Sequence, residues 1–90
     1  MTLQMIKFGV ILNSRSAARE AVLRAKQILN GTVVSNDIEI NFSGVRILTP
    51  SFADEFVKEL RSIYPNNPVK FSGLDNNVIK DTLTSLGLVK

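Results

Sequence analysis

Apolar positions along this chain recur with two different periods, and the switches between them divide it into alternating short and long segments. Residues 5–12 are apolar and β-prone, and Ile6, Phe8, Val10 and Ile11 give them the character of a largely buried strand. Asn13-Ser14-Arg15-Ser16 ends that run and carries two hydroxyls that can accept from the unpaired N–H groups of a first helical turn. At about 100° per residue, Ala18, Ala21, Val22, Ala25, Ile28 and Leu29 then fall on one side, with Arg15, Arg19, Glu20, Arg24, Lys26 and Gln27 on the other. The spacing predicts an amphipathic helix over residues 14–30 whose alanine-rich face lies close on a sheet, with Asn30-Gly31 as a left-handed stop. Residues 32–36 suit either a loop or a short strand.

Ile38-Glu39-Ile40-Asn41-Phe42 alternates strictly, so Ile38, Ile40 and Phe42 share one face of a strand, and Ser43-Gly44 breaks it. After residues 45–48, Thr49-Pro50-Ser51 reads as a helix start, with Pro at the first helical position and Thr49, or Ser51 in its place, as the cap. Phe52, Phe56, Leu60 and Ile63, flanked by Ala53, Val57 and Tyr64, make the apolar side of a helix over residues 50–64. Asp54, Glu55, Lys58, Glu59 and Arg61 lie outside, acids before bases as the helix dipole prefers. Pro65-Asn66-Asn67-Pro68 ends that helix, and Val69-Lys70-Phe71 is a short strand. Ser72-Gly73-Leu74-Asp75 turns into a third helix over residues 75–87, capped by Asp75, with Val78, Ile79, Leu83 and Leu86 inward and Gly87-Leu88 as a left-handed C-terminal cap.

The resulting order, βαβαβα, is that of an α/β fold: a mixed or parallel sheet with helices covering at least one face. In such a sheet the strand C-termini and helix N-termini gather at one edge, where ligands tend to bind. Here that edge collects Asn13-Ser14, Thr49-Pro50-Ser51 and Ser72-Gly73, all small or hydroxyl-bearing.

Ninety residues, 44% of them hydrophobic, suffice for one domain over residues 1–90. With no Cys and no His, disulfides, thiolate metal sites, cysteine nucleophiles and the commonest general base are excluded, and no metal or other cofactor is expected. The net charge of +3, from eleven basic and eight acidic residues, is well short of a concentrated nucleic-acid-binding stripe. Lys7 sits in the middle of the N-terminal apolar stretch, which has no small-residue cleavage site, and no apolar run approaches the roughly 18–20 residues of a membrane span. A soluble cytoplasmic protein is the expectation.

The hydroxyl-rich edge can hold a phosphate or a phosphorylated side chain, although helix capping alone accounts for Ser and Thr at these positions. No Gly-rich phosphate loop is present, and Ser14 and Ser51 have no histidine to activate them, so an enzyme is not expected. Asp54 and Glu55 are neighbours pointing about 100° apart on a helix, an arrangement the dipole explains without catalysis. Arg15, Arg19 and Lys26 lie within about 40° of one another on the first helix and form a small polyanion-binding alternative. A solvated face with an ordinary Glu20–Arg24 pair explains them as well, and no interleaved aromatic offers a base a stacking platform.

The stretch from Ile38-Glu39-Ile40-Asn41-Phe42-Ser43-Gly44-Val45 through Arg46-Ile47-Leu48 to Thr49-Pro50-Ser51 resembles the core motif of STAS domains, the fold of anti-sigma factor antagonists and of sulfate-transporter tails. Gly9-Val10-Ile11-Leu12-Asn13-Ser14 before the Ala-rich helix and the ending Leu86-Gly87-Leu88 resemble the family's flanks. Phe-Ser-Gly-Val followed by Phe52-Ala53-Asp54-Glu55 is similar to a small bacterial STAS-like family of unknown function. The resemblance implies a non-catalytic regulatory interaction module whose partner is an ATPase of the histidine-kinase type. It places the phosphorylated serine of the antagonists at Ser51, with Thr49, Pro50, Ser51, Phe52, Asp54 and Glu55 as the contact. Thr49 stands for that motif's Asp, Pro50 for its first Ser, and Phe52 for the Gly that gives a kinase access to the hydroxyl. A nucleic-acid or polyanion-associated factor using Arg15, Arg19 and Lys26 is the second reading, and a structural homodimer without a switch the third.

Overall fold

The structure is a computed structural model that describes residues 2–30 and 37–89. Gly31 and residues 32–36, expected as a helix stop and as a loop or strand, lie outside the described residues. The chain runs through β1 (Thr2–Gln4), a single 3-10 turn (Met5–Phe8), β2 (Ile11–Leu12), α1 (Arg15–Asn30), β3 (Ile38–Asn41), β4 (Ile47–Leu48), α2 (Pro50–Ile63), β5 (Val69–Ser72) and α3 (Asn77–Ser85). Every ladder is parallel. β1, β3 and β5 form a three-stranded sheet with β3 central, and β2 and β4 form a two-stranded one. The βαβαβα order therefore stands, with each of its first two strands split into two pieces.

That split corrects the single buried strand expected over residues 5–12. Gly9 sits at φ 142°, a conformation that L side chains rarely adopt, and its N–H donates to the Ile6 carbonyl at 3.2 Å to close the 3-10 turn. The turn swings Met5 into the core and leaves Ile6, Val10 and Ile11 exposed. The first column of the sheet carries six residues, 5–10, between its two ladders where the second carries five, 42–46. The surplus residue is taken up in the 3-10 turn, and beyond it the Val10 carbonyl accepts from both Arg46 N (2.9 Å) and Ile47 N (3.3 Å).

Alternation along the three-stranded sheet places Leu3, Ile40 and Phe71 in one cross-strand row facing the core. Thr2, Glu39 and Lys70 form a row on the opposite face, and Gln4, Asn41 and Ser72 form another. Ala18, Ala21, Val22, Ala25 and Leu29 of α1 meet Phe52, Ala53, Phe56, Val57 and Leu60 of α2 in the core, and these two helices make the most extensive packing between elements. The alanine face allows this close approach, but to α2, where the pattern predicts a sheet beneath it; Ile28, expected on it, is exposed.

α3 fills the place of a third strand beside β4. Thr82 Oγ1 donates to the Leu48 carbonyl at 3.0 Å and Asn76 Nδ2 to the Arg46 carbonyl at 3.3 Å, so side chains satisfy the carbonyls that a further strand would have paired. The cap of α3 is Asn76, whose side chain accepts from Val78 N at 2.8 Å, rather than Asp75. Val78, expected inward, is exposed because Thr82 turns that stripe of the helix toward the strand edge and leaves only Ile79 and Leu83 fully in the core. At the other end Gly87 N donates to Thr84 O and Leu88 N to Leu83 O, the paired bonds of a left-handed helix stop at φ 73°.

Candidate functional site

β2 and β4 pair as Ile11↔Ile47 and Leu12↔Leu48, so the turns that follow them leave side by side and start α1 and α2 at the same sheet edge. The bond from Thr49 N to the Leu12 carbonyl, 3.0 Å, extends this pairing into the turns. Ser14 adopts φ 74°, and its Oγ accepts from Ala17 N at 3.2 Å to cap α1. Thr49 caps α2, its Oγ1 accepting from Phe52 N at 3.4 Å, and Pro50 occupies the first turn where no N–H is needed. Ser51 Oγ lies 3.3 Å from Thr49 Oγ1, and Ser51 is half-buried at the helix start.

Phe52, expected among the contact residues, is 1% exposed and stacks on Phe56 with ring centroids 5.9 Å apart. It belongs to the core and is removed from the candidate contact. Thr49, Ser51 and Asp54 are half-buried at this edge and Pro50 is exposed.

Glu55 departs most from its sequence reading. Expected outside, it is 9% exposed, the one buried charged residue among those described. Its Oε1 accepts from Arg15 at 3.2 Å and its Oε2 lies 3.5 Å from Arg19 Nε, while the same Arg15 nitrogen donates to Asp54 Oδ2 at 3.0 Å. A buried carboxylate is tolerable because two guanidiniums compensate it across the α1–α2 seam. The hydrogen bonds to Asp54 first and to Glu55 second hold the Arg15 guanidinium above its ordinary pKa. A signal for this existed in the sequence: Glu55 stands only about 60° from Phe52 on the helical wheel, at the border of the apolar stripe.

The same network bears on the polyanion alternative. Arg15 and Arg19 pair with Asp54 and Glu55, while Lys26, further along α1, shares a shallow groove with Arg19, Leu23, Glu59 and Ile63. The three cations therefore do not form a free basic stripe. The Glu20–Arg24 pair gives way to another arrangement, Arg24 lying 5.1 Å from the Phe8 ring centroid and donating to the Lys7 carbonyl at 3.2 Å. Asp54 and Glu55, for their part, do not leave this edge bare and negative.

An asymmetry in stability follows. Glu55→Ala is expected to lose about 1–3 kcal/mol in urea denaturation, since it strips a desolvated, doubly bonded carboxylate from the seam. Asp54→Asn, at a half-exposed pair, is expected to change little. Equal effects from the two would show that the seam does not depend on Glu55.

Among the described residues no group of three or more acids could hold a metal ion, and no helix is long and apolar enough to cross a membrane. A parallel α/β sheet with two helices leaving adjacent strands beside a hydroxyl-capped turn is consistent with a STAS-like domain. The family model for the STAS-like domain of unknown function (DUF4325) matches residues 22–78, and the chain belongs to that family. Comparison with curated proteins and with solved structures found no match.

Proposed function

We propose that this protein is a non-catalytic regulatory interaction module of the bacterial cytoplasm, which docks on a protein partner through the edge where α2 begins and is switched by modification of Ser51. The observation that carries this reading is the state of the Ser51 hydroxyl. It sits in the first turn of α2, half-buried beside Thr49 Oγ1, with the bulky neighbour Phe52 turned into the core. Thr49, Pro50, Ser51 and Asp54 make the contact. The resemblance to anti-sigma factor antagonists supplies the partner class, an ATPase of the histidine-kinase type that docks here and phosphorylates Ser51.

A phosphate at this position adds about 1.5–2 negative charges where the dipole of α2 is positive and first-turn N–H groups lack helical partners, so the fold tolerates it. Its effect falls on the partner, because a dianion at a docking surface must be desolvated on binding. The test uses full-length protein with the ATPase recovered from cell extract and identified by mass spectrometry. Ser51→Asp is expected to weaken binding by about tenfold or more with a nearly unchanged melting temperature, while Ser51→Ala keeps both. A Ser51→Asp variant that unfolds, together with a Ser51→Ala variant that loses the partner, would reduce Ser51 to a structural cap.

A further inference from the structure

The two acids that Arg15 holds stand on either side of Ser51. At about 100° per residue, Glu55 lies about 40° from Ser51 on the α2 wheel and Asp54 about 60° from it in the other direction, both about one turn further along. Helical side chains lean toward the N-terminus, which brings both carboxylates back over the turn that carries Ser51. A group borne on Ser51 Oγ therefore extends between them, on the side of α2 where Arg15 arrives from α1.

A phosphoryl group there meets a conflict that the dipole of α2 does not settle. Its transfer forms a bond between Ser51 Oγ and the γ-phosphorus of ATP, breaks the bond from that phosphorus to ADP and releases the hydroxyl proton, leaving about 1.5–2 negative charges beside two carboxylates. Like charges so close repel unless a cation comes between them. Arg15 is placed to do this. Both its contacts, to Asp54 Oδ2 at 3.0 Å and to Glu55 Oε1 at 3.2 Å, are made by Nη1, and its Nη2 and Nε bond to no other described residue. That edge of the guanidinium matches two phosphate oxygens side by side.

The two acids differ in what they lose when Arg15 turns. The Asp54 side chain is 47% exposed and returns to water, whereas that of Glu55 is 12% exposed and keeps Arg19 Nε at 3.5 Å from its Oε2. The Arg15 side chain is itself 48% exposed, so water already surrounds half of the group that has to move.

We propose that Arg15 is the positioning residue for a phosphorylated Ser51: its guanidinium leaves Asp54, takes the phosphate through Nη2 and Nε, and fixes it at the docking edge with the Asp54 carboxylate set free beside it. The partner then meets a released carboxylate as well as the phosphate, and both must be desolvated on binding. This inference rests on the proposed modification of Ser51, and its test installs the phosphate without the partner so that the two are judged apart.

Phosphoserine is placed at position 51 of the full chain by genetic encoding, and its second ionisation, ordinarily near about pH 6, is followed by phosphorus NMR. A guanidinium favours the dianion and lowers that pKa, so Arg15→Gln is expected to raise it by about one unit, tenfold in the acid dissociation constant. Because Arg15→Gln alone strips a partner from the buried Glu55, the substitution is also made in a Glu55→Gln background, where the same rise is expected. Arg24→Gln, on the same helix but engaged with Phe8, leaves the value unchanged. Equal values with and without Arg15 in both backgrounds overturn the inference. A rise matched by Arg24→Gln shows only the general field of the α1 cations and overturns it equally. The reading of Ser51 as a switch fails by a different result: if the phosphoserine protein binds the partner as the unmodified one does, capture by Arg15 stands and the switch does not.

Discussion

Phe56→Ala is expected to destabilise the fold by about 3–5 kcal/mol, the largest loss from any single truncation considered for this chain. Phe56 is 1% exposed at the centre of α2, stacked on Phe52 with an interplanar angle of 9° and tilted against Phe8 with centroids 6.2 Å apart. Truncation loses the transfer free energy of the ring and leaves a cavity that α1 and the sheet can close only in part, because the alanine face of α1 already sits against α2 and has no longer side chains to move in. A domain of this size has a total stability of roughly 5–13 kcal/mol, so the loss is a large fraction of it. Urea denaturation should show a lower midpoint with an unchanged slope. Phe56→Leu, which keeps most of the volume, should lose much less. A loss below about 2 kcal/mol for the alanine variant would mean that the Phe8, Phe52 and Phe56 cluster repacks and is not the centre of the core.

The second large effect is backbone-centred. Gly73→Ala is expected to lose about 2–4 kcal/mol through positive φ and overpacking together. Gly73 follows β5 at φ 67°, and a Cβ there would run into Asn41 Oδ1, with Ser43 N at 2.5 Å and Ser43 Oγ at 2.6 Å. Asn41 Oδ1 cannot simply move, because it accepts from Ser43 N at 2.8 Å and so shapes the turn that carries the chain from β3 toward β4. The added methyl therefore presses on the turn that positions β4, and through it on the start of α2. The measurement is again a urea midpoint, with Gly87→Ala as the comparison: that glycine also has positive φ, but nothing lies within 4 Å of an added Cβ, so only the backbone strain of about 1 kcal/mol applies. Similar losses at the two positions would show that the close approach at Gly73 is relieved at little expense.

Lys70 gives a smaller, pH-dependent signal. Its hydrogen bond to Asp37 raises its pKa above the ordinary lysine value of 10.5. A raised basic group contributes stability that is fully present below its unfolded value and lost as pH climbs through the folded one, so the pair acts at neutral pH and fades only in strong alkali.

Features legible in the amino-acid order were those decided within about four residues of themselves. Thr49-Pro50 as the start of α2, the Ser14 cap of α1, the alanine face, the alternation of Ile38 and Ile40, and the Gly87 stop all depend on local hydrogen bonds or on one period of a helix or strand, and the structure shows each of them. The STAS-like character was readable for the same reason, since its motif lies in one continuous stretch ending at Ser51. Other features depend on partners more than 30 residues away and took shape only in three dimensions. Glu55 is buried because Arg15 and Arg19 arrive from α1; without that approach, a charge at the border of an apolar stripe belongs in water. The apolar run 5–12 breaks in two because Gly9 closes a 3-10 turn inside it and pairing resumes only at Ile11 with Ile47 and Leu12 with Leu48, which turns Leu12 inward and Ile11 outward. Val78 leaves the core because Thr82 finds the Leu48 carbonyl at the open edge of β4, an obligation of the sheet that no periodicity in α3 records.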